Sequence, residues 1–480
     1  MIMGGRLPVN QGALMGLFRE YDLRGIVGDD LTEAIAEQVG RAYCTYVKAR
    51  GVQTISVGRD GRLSSPALFK SLVSGLLAGG VNVIDIGICP SPLLYFSLFQ
   101  LPVQGGIMIT GSHNAAEYNG FKVCVGKEAI HGETIMELRR ILETGSFTSG
   151  QGRLSEHTII PDYLEYLRTS FKGINAGRLH VVIDCGNGAA ALVAKEALEI
   201  LGCRVTGLYC DLDGRFPNHH PDPTVLENLD DLVKAVKQHK ADVGIGYDGD
   251  ADRIGAIDEQ GHVLWGDRLM VVYSRDILRT IPGSTIISEV KASQCLYDDI
   301  AKQGGRAIMW KTGHSLIKAK MKSEKAVLAG EMSGHMFFAD RYFGYDDAIY
   351  ASCRLVEILA KTGQSLSSLV ADLPATSVTP EIRVDTPDSI KFELVKRVQD
   401  RLAGYAKSSR PLGPNNDVVR DVVTIDGVRA IFEDGWGLIR ASNTQPALVL
   451  RFEASSADRL SAIRAVVEGE LAEVKRSMLS

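Results

Sequence analysis

The sequence lacks an excess of positive charge and lacks paired cysteine motifs. Its 480 residues hold 53 Lys and Arg against 58 Asp and Glu, which gives a formal net charge of −5. Because nucleic-acid-binding proteins carry a basic surface, we expect no nucleic-acid partner. None of the eight cysteines forms a CxxC motif, and several lie in apolar runs, as Cys124 does in FKVCV. Free, buried thiols in a reducing compartment are therefore expected.

Long apolar runs are absent as well. No window approaches the roughly 20 apolar residues that a membrane-spanning helix needs. The N-terminal apolar patch at 12–18 is short, is flanked by Arg19 and Glu20, and has no signal-peptide cleavage site. These absences predict a soluble, cytoplasmic protein without a membrane partner.

What the sequence contains is a recurring unit in which a short apolar run ends in a polar or Gly-rich loop. The runs are TISVGRDG (54–61), GGIMITGSHN (105–114), HVVIDCGNG (180–188), ADVGIGYDGDAD (241–252), STIISEVKAS (284–293) and AVLAGEMSGH (326–335). Helical patterns lie between them, at 31–43, 133–143, 226–239 and 349–361. Strands that alternate with helices predict an α/β fold with mostly parallel sheets, in which ligands bind beyond the carboxyl ends of the strands. The polar loops are therefore expected to form one functional surface.

The last part of the chain changes character. VRAIFEDGWGLIRASNTQPALVLRFEA (428–454) predicts strand, DG turn, strand, loop and strand, and Ser455 with Asp458 suits a capping box for a final helix. This is an antiparallel α+β pattern. Because the chain is longer than one hydrophobic core usually organises, its length predicts three or four domains. Breaks at 144–153, near 258–262 and near 372–379 divide it into four. Their expected bounds are 1–154, 155–260, 261–374 and 375–480.

The acidic loop Asp248-Gly-Asp250-Ala-Asp252-Arg253 follows the apolar run VGIGY. Alternate residues of a helix point in different directions, so three carboxylates at this spacing could not converge if the segment were helical. On a loop that leaves a strand they can converge, and such hard oxygen ligands suit Mg²⁺ or Ca²⁺. Because close carboxylates repel one another, the spacing also indicates a bound cation.

Two alternatives to this metal loop stay open at the level of sequence. An EF-hand calcium loop would place acids at positions 1, 3 and 5 and Glu259 at position 12, but Arg253 stands where glycine belongs. The flanking VGIGY and IGAI also look like strands, whereas an EF-hand needs helices. The second alternative is a solvated acidic turn without a metal.

A second polar loop, TGSHN at 110–114, places Ser112 at the end of the run GIMI. With His113 and Lys122 nearby, Ser112 is a candidate nucleophile. The motif is not the G-x-S-x-G elbow, because Asn114 replaces the second glycine, and no P-loop spacing follows it. The loop alone therefore does not establish a catalytic serine. The acidic loop strengthens the interpretation, since a phosphoserine beside Mg²⁺ is a plausible phosphoryl donor.

Two further loops carry clustered hydrogen-bonding groups. GEMSGH (330–335) places such groups at alternate positions, which suits the vicinal hydroxyls of a sugar. RASNTQP (440–446) combines a cation, two hydroxyls and an amide, which suits a phosphate cradle. Either loop alone is equally compatible with a plain turn. The candidate residues are Glu331, Ser333, His335, Arg440, Ser442, Asn443 and Thr444.

Together the loops TGSHNAAEYNGFK, DGDADR, GEMSGH and RASNTQP resemble those of the α-D-phosphohexomutase superfamily, in the same order and over nearly the whole chain. The resemblance implies three similar α/β domains with mostly parallel mixed sheets and a smaller C-terminal α+β domain around a central cleft. With methionine in its middle, the GEMSGH loop is similar to the corresponding loop of the bacterial phosphomannomutase/phosphoglucomutase branch. One departure is Ala115, where the family usually has a proline that would fix the φ angle of the loop.

The resemblance also implies roles for individual residues. Ser112 would be the phosphoserine, and its phosphate would complete a site for one Mg²⁺ with Asp248, Asp250 and Asp252. Arg24 and Lys122 would flank the phosphoserine, as candidates for proton transfer and charge neutralisation. The other residues at matching positions, catalytic or in contact with substrate, are Tyr21, His113, Arg253, Lys291, His314, Glu331, Ser333, His335, Arg440, Ser442, Asn443 and Thr444.

The implied activity is interconversion of hexose 1-phosphate and hexose 6-phosphate, of mannose or glucose or both. Phospho-Ser112 would donate to the free hydroxyl, the hexose 1,6-bisphosphate would turn over in the cleft, and the other phosphate would return to Ser112. The same bisphosphate would serve as activator, and the enzyme would be a monomer or weak dimer. The alternatives are a phosphoglucosamine mutase, a metal-dependent phosphatase and a non-catalytic protein that binds sugar phosphates.

Overall fold

The computed structural model describes residues 16–413, 416–443 and 445–479, so Thr444 lies outside the described residues. The chain divides into two units. The first holds residues up to 286 together with 313–371, and the second holds 287–312 and 372–480.

The first sheet of the first unit is mixed. Its strands, in the order in which they lie side by side, are Leu23–Ile26, Tyr118–Val125, Gly105–Ile109, Thr54–Arg59, Asn82–Ile88 and Leu154–Glu156, with Glu128–Ala129 also paired to Tyr118–Val125. The helices of this region are Glu33–Lys48, Ser65–Ala78, Ser91–Gln100 and Glu133–Thr144. The fully buried strand Gly105–Ile109 runs parallel to Thr54–Arg59 and antiparallel to Tyr118–Val125. Met108 pairs with Lys122 in that antiparallel register, which places Lys122 beside the strand that leads to Ser112.

The second sheet of this unit is also mixed. Its strands, in spatial order, are Val263–Leu264, Ile254–Asp258, Val243–Tyr247, His180–Asp184 and Arg204–Leu208. The helical segments of this region are Ile159–Ser170, Ala189–Leu192, Ala194–Glu199, Leu226–Leu229 and Asp230–His239. Val243–Tyr247 runs parallel to His180–Asp184, so the loops that follow these two buried strands leave the same edge of the sheet.

The remaining part of the first unit carries the GEMSGH loop. Its elements are Gly266–Thr280, His314–Glu324, Leu328–Gly330, Met336–Phe338, Ala348–Thr362 and the short helix Ser368–Val370. Leu328–Gly330 and Met336–Phe338 are antiparallel neighbours, and the GEMSGH loop connects them. The side chain of Asp347 caps the helix Ala348–Thr362 by accepting from the backbone N–H of Tyr350.

The second unit is built on an antiparallel sheet. Its strands, in spatial order, are Ser377–Val378, Ala447–Ala454, Gly435–Ala441, Val428–Ile431 and Asp421–Val423, with Ile382–Asp385 also paired to Ala447–Ala454. The long helices Asp388–Ser408 and Ala457–Leu479 contribute to one apolar core with the sheet. The other elements are Gln294–Lys302, Arg306–Trp310 and Thr285–Glu289, the last of which begins in the first unit.

The sequence predicted this architecture well. The α/β fold with mixed sheets, the C-terminal α+β pattern and the helices at 31–43, 133–143, 226–239 and 349–361 are confirmed, with bounds that shift by a few residues and with a short 3₁₀ turn opening the third. The eight cysteines are free, as predicted. Among the described residues, no helix combines the length and apolar character that crossing a bilayer requires.

Candidate active site

The serine loop begins where the buried strand Gly105–Ile109 ends. Ser112 has a φ of 49°, a left-handed conformation that costs an L-residue roughly 1–2 kcal/mol. The backbone N–H of Ser112 donates to Thr110 Oγ1 over 2.8 Å, which helps to hold this turn. The side chain of Ser112 is only 3% exposed, so its hydroxyl is directed into the protein and not into bulk water.

The acidic loop begins where the strand Val243–Tyr247 ends. Asp248 Oδ1 accepts the backbone N–H groups of Asp252 and Arg253, each over 3.1 Å, and Ala251 adopts a φ of 61°. These contacts fold the loop back so that its three aspartates converge. Oxygens of Asp248, Asp250 and Asp252 lie within 4.8 Å of one another.

The serine loop and the acidic loop meet. Ser112 Oγ donates to Asp248 Oδ2 over 3.1 Å across 136 residues of sequence. The two backbones are so close that a Cβ atom on Gly249 would lie 2.4 Å from the carbonyl oxygen of Ser112. Glycine at position 249 therefore allows the contact that brings the hydroxyl to the carboxylates.

Lys122 lies among these carboxylates. Its Nζ donates to Asp250 Oδ2 over 2.6 Å and also contacts Asp252 Oδ2. Burial alone would lower the pKa of Lys122, but the carboxylates of Asp250 and Asp252 outweigh burial and raise it above its ordinary value. Lys122 is therefore a permanent cation at the site.

The three aspartates fit a divalent cation. All are at most 1% exposed, and burial followed by repulsion from Asp252 and Asp250 raises the pKa of Asp248 well above its ordinary value. Asp250 Oδ1 is buried and has no hydrogen-bond partner. Buried, mutually repelling carboxylates with an unpartnered oxygen are suited to Mg²⁺, which prefers such ligands.

The structure rejects both alternatives for the acidic loop. Strands flank it, Val243–Tyr247 before and Ile254–Asp258 after, and they pair with each other antiparallel. An EF-hand requires helices in these places. The solvated-turn alternative is wrong as well, because the three carboxylates are buried.

The GEMSGH loop contacts the acidic loop through His335. Its Nε2 lies 3.1 Å from Asp252 Oδ1, and its Nδ1 lies 2.8 Å from Glu331 Oε2. Burial would lower the pKa of His335, but the carboxylates, Asp252 first, raise it to about 9. Glu331 also accepts the backbone N–H of Gly313 over 2.7 Å, and Ser333 Oγ lies 3.3 Å from His335 Nδ1. The loop is therefore prearranged around a histidine cation.

His314 begins the helix His314–Glu324 beside His335. The ring centroid of His314 lies 5.7 Å from that of His335 and 6.0 Å from that of Tyr21. Burial, together with the charge of Lys318, holds the pKa of His314 well below its ordinary value. The two neighbouring histidines thus differ in charge: His314 is neutral and His335 is positive.

The predicted residues that flank Ser112 also lie at this site. Arg24 Nη1 donates to Asn114 Oδ1 over 3.1 Å. His113 Nδ1 lies 3.1 Å from Ser112 Oγ, and burial, followed by the charges of Arg253 and Arg24, holds its pKa well below the ordinary value. Arg253 Nε lies 3.3 Å from His335 Nε2.

The other predicted residues belong to the second unit. Lys291 Nζ lies 3.0 Å from Glu381 Oε2, and Arg440 Nε donates to Asp426 Oδ2 over 3.0 Å. The backbone N–H of Ser442 donates to the carbonyl of Ala447 over 2.9 Å. Asn443 lies in the same loop, which connects the strands Gly435–Ala441 and Ala447–Ala454.

The sequence did not predict several residues that lie at the site. Asp346 is fully buried and accepts from Lys318 Nζ over 2.9 Å. Its other oxygen has no hydrogen-bond partner and lies 3.7 Å from His314 Nδ1 and 4.0 Å from His335 Nε2. Ser91 donates to Asp250 Oδ2 from the start of a helix. Arg62 and Asp60 contact the serine loop. The only local signal was a run of charged residues after a strand, as in GRDGR (58–62).

Comparisons with known proteins agree with this geometry. Four phosphoglucomutase/phosphomannomutase domain families match in order: alpha/beta/alpha domain I at 15–149, domain II at 161–261, domain III at 265–377 and the C-terminal domain at 381–470. The chain is 45% identical over 459 residues to a phosphomannomutase/phosphoglucomutase from Pseudomonas putida, covering 96% of each protein.

Two further relatives are similar over most of their length. A phosphoglucomutase from Neisseria gonorrhoeae is 41% identical over 458 residues, which is 94% of this chain and 96% of that protein. The crystal structure of a phosphoglucomutase/phosphomannomutase family protein from Burkholderia thailandensis is 38% identical with a TM-score of 0.87, covering 96% of this chain and 98% of that one. This chain therefore belongs to the phosphoglucomutase/phosphomannomutase family.

Proposed function

We infer that this protein is an enzyme that interconverts hexose 1-phosphate and hexose 6-phosphate, with mannose or glucose as the sugar. The observation that carries the inference is the buried hydroxyl of Ser112, held 3.1 Å from Asp248 in a site that also contains Asp250, Asp252 and Lys122. Phosphoryl transfer needs positioning and charge neutralisation more than covalent chemistry by the protein. A fixed hydroxyl among a lysine and metal-binding carboxylates supplies both.

We propose that Asp248, Asp250 and Asp252, together with the phosphate on Ser112, hold one Mg²⁺ per chain. When bound, this ion supplies positive charge to the oxygens of the phosphoryl group. Lys122 adds a second positive charge at the same place. Because its carboxylate neighbours raise the pKa of Lys122, we assign it to charge neutralisation and not to proton acceptance.

The return of a phosphoryl group to Ser112 illustrates the proposed chemistry. The bond between phosphorus and the sugar oxygen breaks, a bond between phosphorus and Ser112 Oγ forms, and in net terms a proton moves from the serine oxygen to the sugar oxygen. His113 Nδ1 lies 3.1 Å from Ser112 Oγ and can orient the hydroxyl, but its lowered pKa makes the imidazole a weak proton acceptor. Arg24 would orient the serine loop through Asn114 and counter the charge of the phosphate.

We propose that the sugar is held by the GEMSGH loop. Glu331 and Ser333 would bind the 3- and 4-hydroxyls, with His314, His335 and Arg253 as further contacts. Since the two phosphates must exchange places, the loop should bind groups that are present in both orientations. Contacts restricted to these two hydroxyls leave the 2-position weakly distinguished, which would admit both mannose and glucose.

The non-reacting phosphate would be held by a cradle in the second unit, in which Arg440 binds it bidentately. We propose that Lys291 and Tyr21 assist, that hexose 1,6-bisphosphate is the activator and that the protein is a monomer or weak dimer. The proposed domains remain those at 1–154, 155–260, 261–374 and 375–480. The cradle residues are Arg440, Ser442, Asn443 and Thr444.

Phosphorus NMR tests the proposed function directly. Mannose 1-phosphate or glucose 1-phosphate, with Mg²⁺ and trace hexose 1,6-bisphosphate, should give the 6-phosphate signal with the wild-type enzyme. Ser112→Ala should lose at least a thousandfold in rate, because it removes the hydroxyl that is proposed to carry the phosphoryl group. A matched control is Ser97→Ala, whose buried hydroxyl donates only to the backbone of its own helix and whose loss should leave the rate unchanged.

The same spectra separate the alternatives. Stoichiometric release of inorganic phosphate would indicate a phosphatase, and binding without isomer conversion would indicate a sugar-phosphate-binding protein. Faster turnover of glucosamine 6-phosphate than of the mannose and glucose phosphates would indicate a phosphoglucosamine mutase. Near-normal turnover by Ser112→Ala would overturn the proposal itself.

A further inference from the structure

The side chain of Arg62 lies beneath the serine loop and is only 1% exposed. A guanidinium has five N–H donors in a fixed planar arrangement, and Arg62 uses all five. Nε donates to Asp60 Oδ2 over 3.1 Å. Nη1 donates to the carbonyls of Ala115 and Tyr118, over 2.5 and 3.0 Å. Nη2 donates to the carbonyls of Ser112 and Asn114, over 2.8 and 2.6 Å.

Four of these five bonds therefore end on a single loop, at residues 112–118. One of them is to the carbonyl of Ser112 itself, the residue in the left-handed conformation. Another is to the carbonyl of Ala115, where the chain lacks the proline that would have restricted the loop. A guanidinium that gathers four carbonyls fixes the path of the backbone on both sides of the reactive hydroxyl.

Asp60 completes the arrangement. Its Oδ2 accepts from both Arg62 Nε and the backbone N–H of Gly111, over 3.1 and 3.2 Å, and its Oδ1 accepts from Ser65 Oγ over 2.8 Å. A Cβ atom on Gly111 would lie 2.5 Å from the guanidinium carbon of Arg62. Position 111 must therefore be glycine if the guanidinium is to reach the loop.

We propose that Arg62 is the positioning residue that sets the location and direction of Ser112 Oγ for phosphoryl transfer, an inference that rests on the proposed function. Its five side-chain bonds end on Asp60 and on the loop, so it acts through the loop. Displacement of a reacting group by about 1 Å can cost about 100-fold in rate. Lysine cannot replace it, since an ammonium has three donors on a flexible stem and cannot bind four carbonyls in one plane.

The test compares Arg62→Lys with Arg59→Lys. Arg59 belongs to the same GRDGR segment and pairs with Asp85 over 2.7 Å, away from the serine loop. We expect Arg62→Lys to lower kcat about 100-fold while KM changes less than threefold, because the residues proposed to bind the substrate are intact. Arg59→Lys should keep both constants. If the role of Arg62 were purely structural, Arg62→Lys would lower the amount of folded protein and leave kcat per active site unchanged. The concentration of active sites is measured as the amount of Ser112 that can be phosphorylated.

Hydrogen exchange of the amides at 111–119 gives a readout that does not depend on activity. Arg62→Lys should accelerate exchange there, and Arg59→Lys should not. If wild-type protein fails to convert hexose phosphates, the proposed function fails, whereas the exchange comparison still tests Arg62. If the wild type is active and the kcat of Arg62→Lys is within threefold of the wild-type kcat, the inference is overturned. Should Arg62→Lys fail to fold, Asp60→Asn removes the carboxylate shared by Arg62 and Gly111, and a loss in kcat below tenfold would overturn it equally.

A second inference rests on a pair of thiols. Cys185 and Cys210 follow the adjacent parallel strands His180–Asp184 and Arg204–Leu208, and their Sγ atoms lie 3.2 Å apart. Cys185 is buried and Cys210 is partly exposed. The hydrogen bond between them raises the pKa of Cys185, to which burial adds, and lowers that of Cys210. The more reactive thiol is thus the one that solvent can reach.

The Cys185 loop touches the acidic loop. The backbone N–H of Ala189 donates to the carbonyl of Gly249 over 2.9 Å, and Gly249 lies between two of the predicted metal ligands. A disulfide needs an S–S distance of about 2.05 Å, so bond formation must bring the two sulfur atoms, now 3.2 Å apart, closer by about 1 Å. The hydrogen bond between Ala189 and Gly249 would couple any resulting shift of the Cys185 loop to the acidic loop.

The geometry points to Cys185 and Cys210 as an oxidisable pair whose disulfide lowers activity reversibly. A peroxide would oxidise the Cys210 thiol to the sulfenic acid with release of water. The Cys185 thiol would then displace a second water to form the disulfide, so that two electrons pass from the two thiols to the peroxide. Dithiothreitol would reverse the reaction.

Hydrogen peroxide treatment followed by peptide mass spectrometry tests this second inference. A Cys185–Cys210 disulfide should form, kcat should fall at least tenfold, and dithiothreitol should restore it. Cys210→Ser should keep its activity in peroxide, whereas Cys295→Ser, which removes another partly exposed thiol, should remain sensitive. Absence of the linked peptide, or a disulfide form with full activity, would overturn it.

Discussion

Lys291 and Glu381 show how a single ion pair sets a pH dependence in the second unit. Lys291 Nζ lies 3.0 Å from Glu381 Oε2, and the Glu381 side chain is 22% exposed. The charge of Lys291, against the opposing effect of burial, lowers the pKa of Glu381 from 4.5 to about 2. Because the folded pKa lies below the unfolded one, this carboxylate stabilises the protein above about pH 4.5, and the stabilisation disappears as the pH falls toward 2.

Glu381→Gln is therefore expected to destabilise the second unit by about 3 kcal/mol at pH 7, at about 1.4 kcal/mol for each unit of pKa, and by progressively less as the pH is lowered from 5 to 3. Thermal melts of the two proteins across this range measure the difference. Glu433→Gln, which removes an exposed carboxylate paired with Arg420, is the control and should cost little at any pH. A Glu381→Gln penalty that does not change with pH would contradict the assignment.

At the scale of elements, the sequence predicts best what depends on neighbours along the chain. The helix Glu33–Lys48 follows from apolar residues at helical spacing, and the acidic loop follows from its position after VGIGY. The antiparallel pairing of Val243–Tyr247 with Ile254–Asp258 bears out the expectation that strands, not EF-hand helices, flank the loop. Local periodicity sufficed in these cases because each element is stabilised by its own buried face.

What the sequence does not predict depends on contacts between distant segments. The carbonyl partners of Arg62 lie 50–56 residues further along the chain, and no spacing rule connects them. Asp346 becomes part of the site only because Lys318 and His335 fold against it. The sequence likewise does not predict the left-handed conformation of Ser112, because serine has no preference for this conformation.

At the scale of the whole molecule, the first unit draws its site from widely separated parts of the chain. Ser112, Asp248 and His335 come from three regions, yet one chain of contacts connects Ser112 to Asp248 and Asp252 to His335. Buried carboxylates where such regions meet must be neutralised for the unit to be stable. Lys122 and His335 provide two positive charges for the three aspartates, which leaves one negative charge for a cation to offset.

Mg²⁺ is consequently expected to stabilise the folded protein as well as to support activity. A ligand that binds only the folded state adds about 2.7 kcal/mol of stability at 100 times its dissociation constant. The thermal midpoint should therefore rise saturably with Mg²⁺ and fall on adding EDTA, in the absence of any substrate. Asp250→Asn should abolish both this shift and the mutase rate, because Asp250 supplies the buried oxygen without a partner.

Asp231→Asn is the matched control for this prediction, since Asp231 is an exposed carboxylate paired with Lys234 on a helix surface. It removes the same charge but no predicted ligand, so its Mg²⁺-dependent shift should equal that of the wild type. Asp250→Asn will itself change the melting temperature, because it removes a partner of Lys122. The decisive quantity is thus the difference between melts with and without Mg²⁺ for each protein, and an equal difference in Asp250→Asn and wild type would place the cation elsewhere.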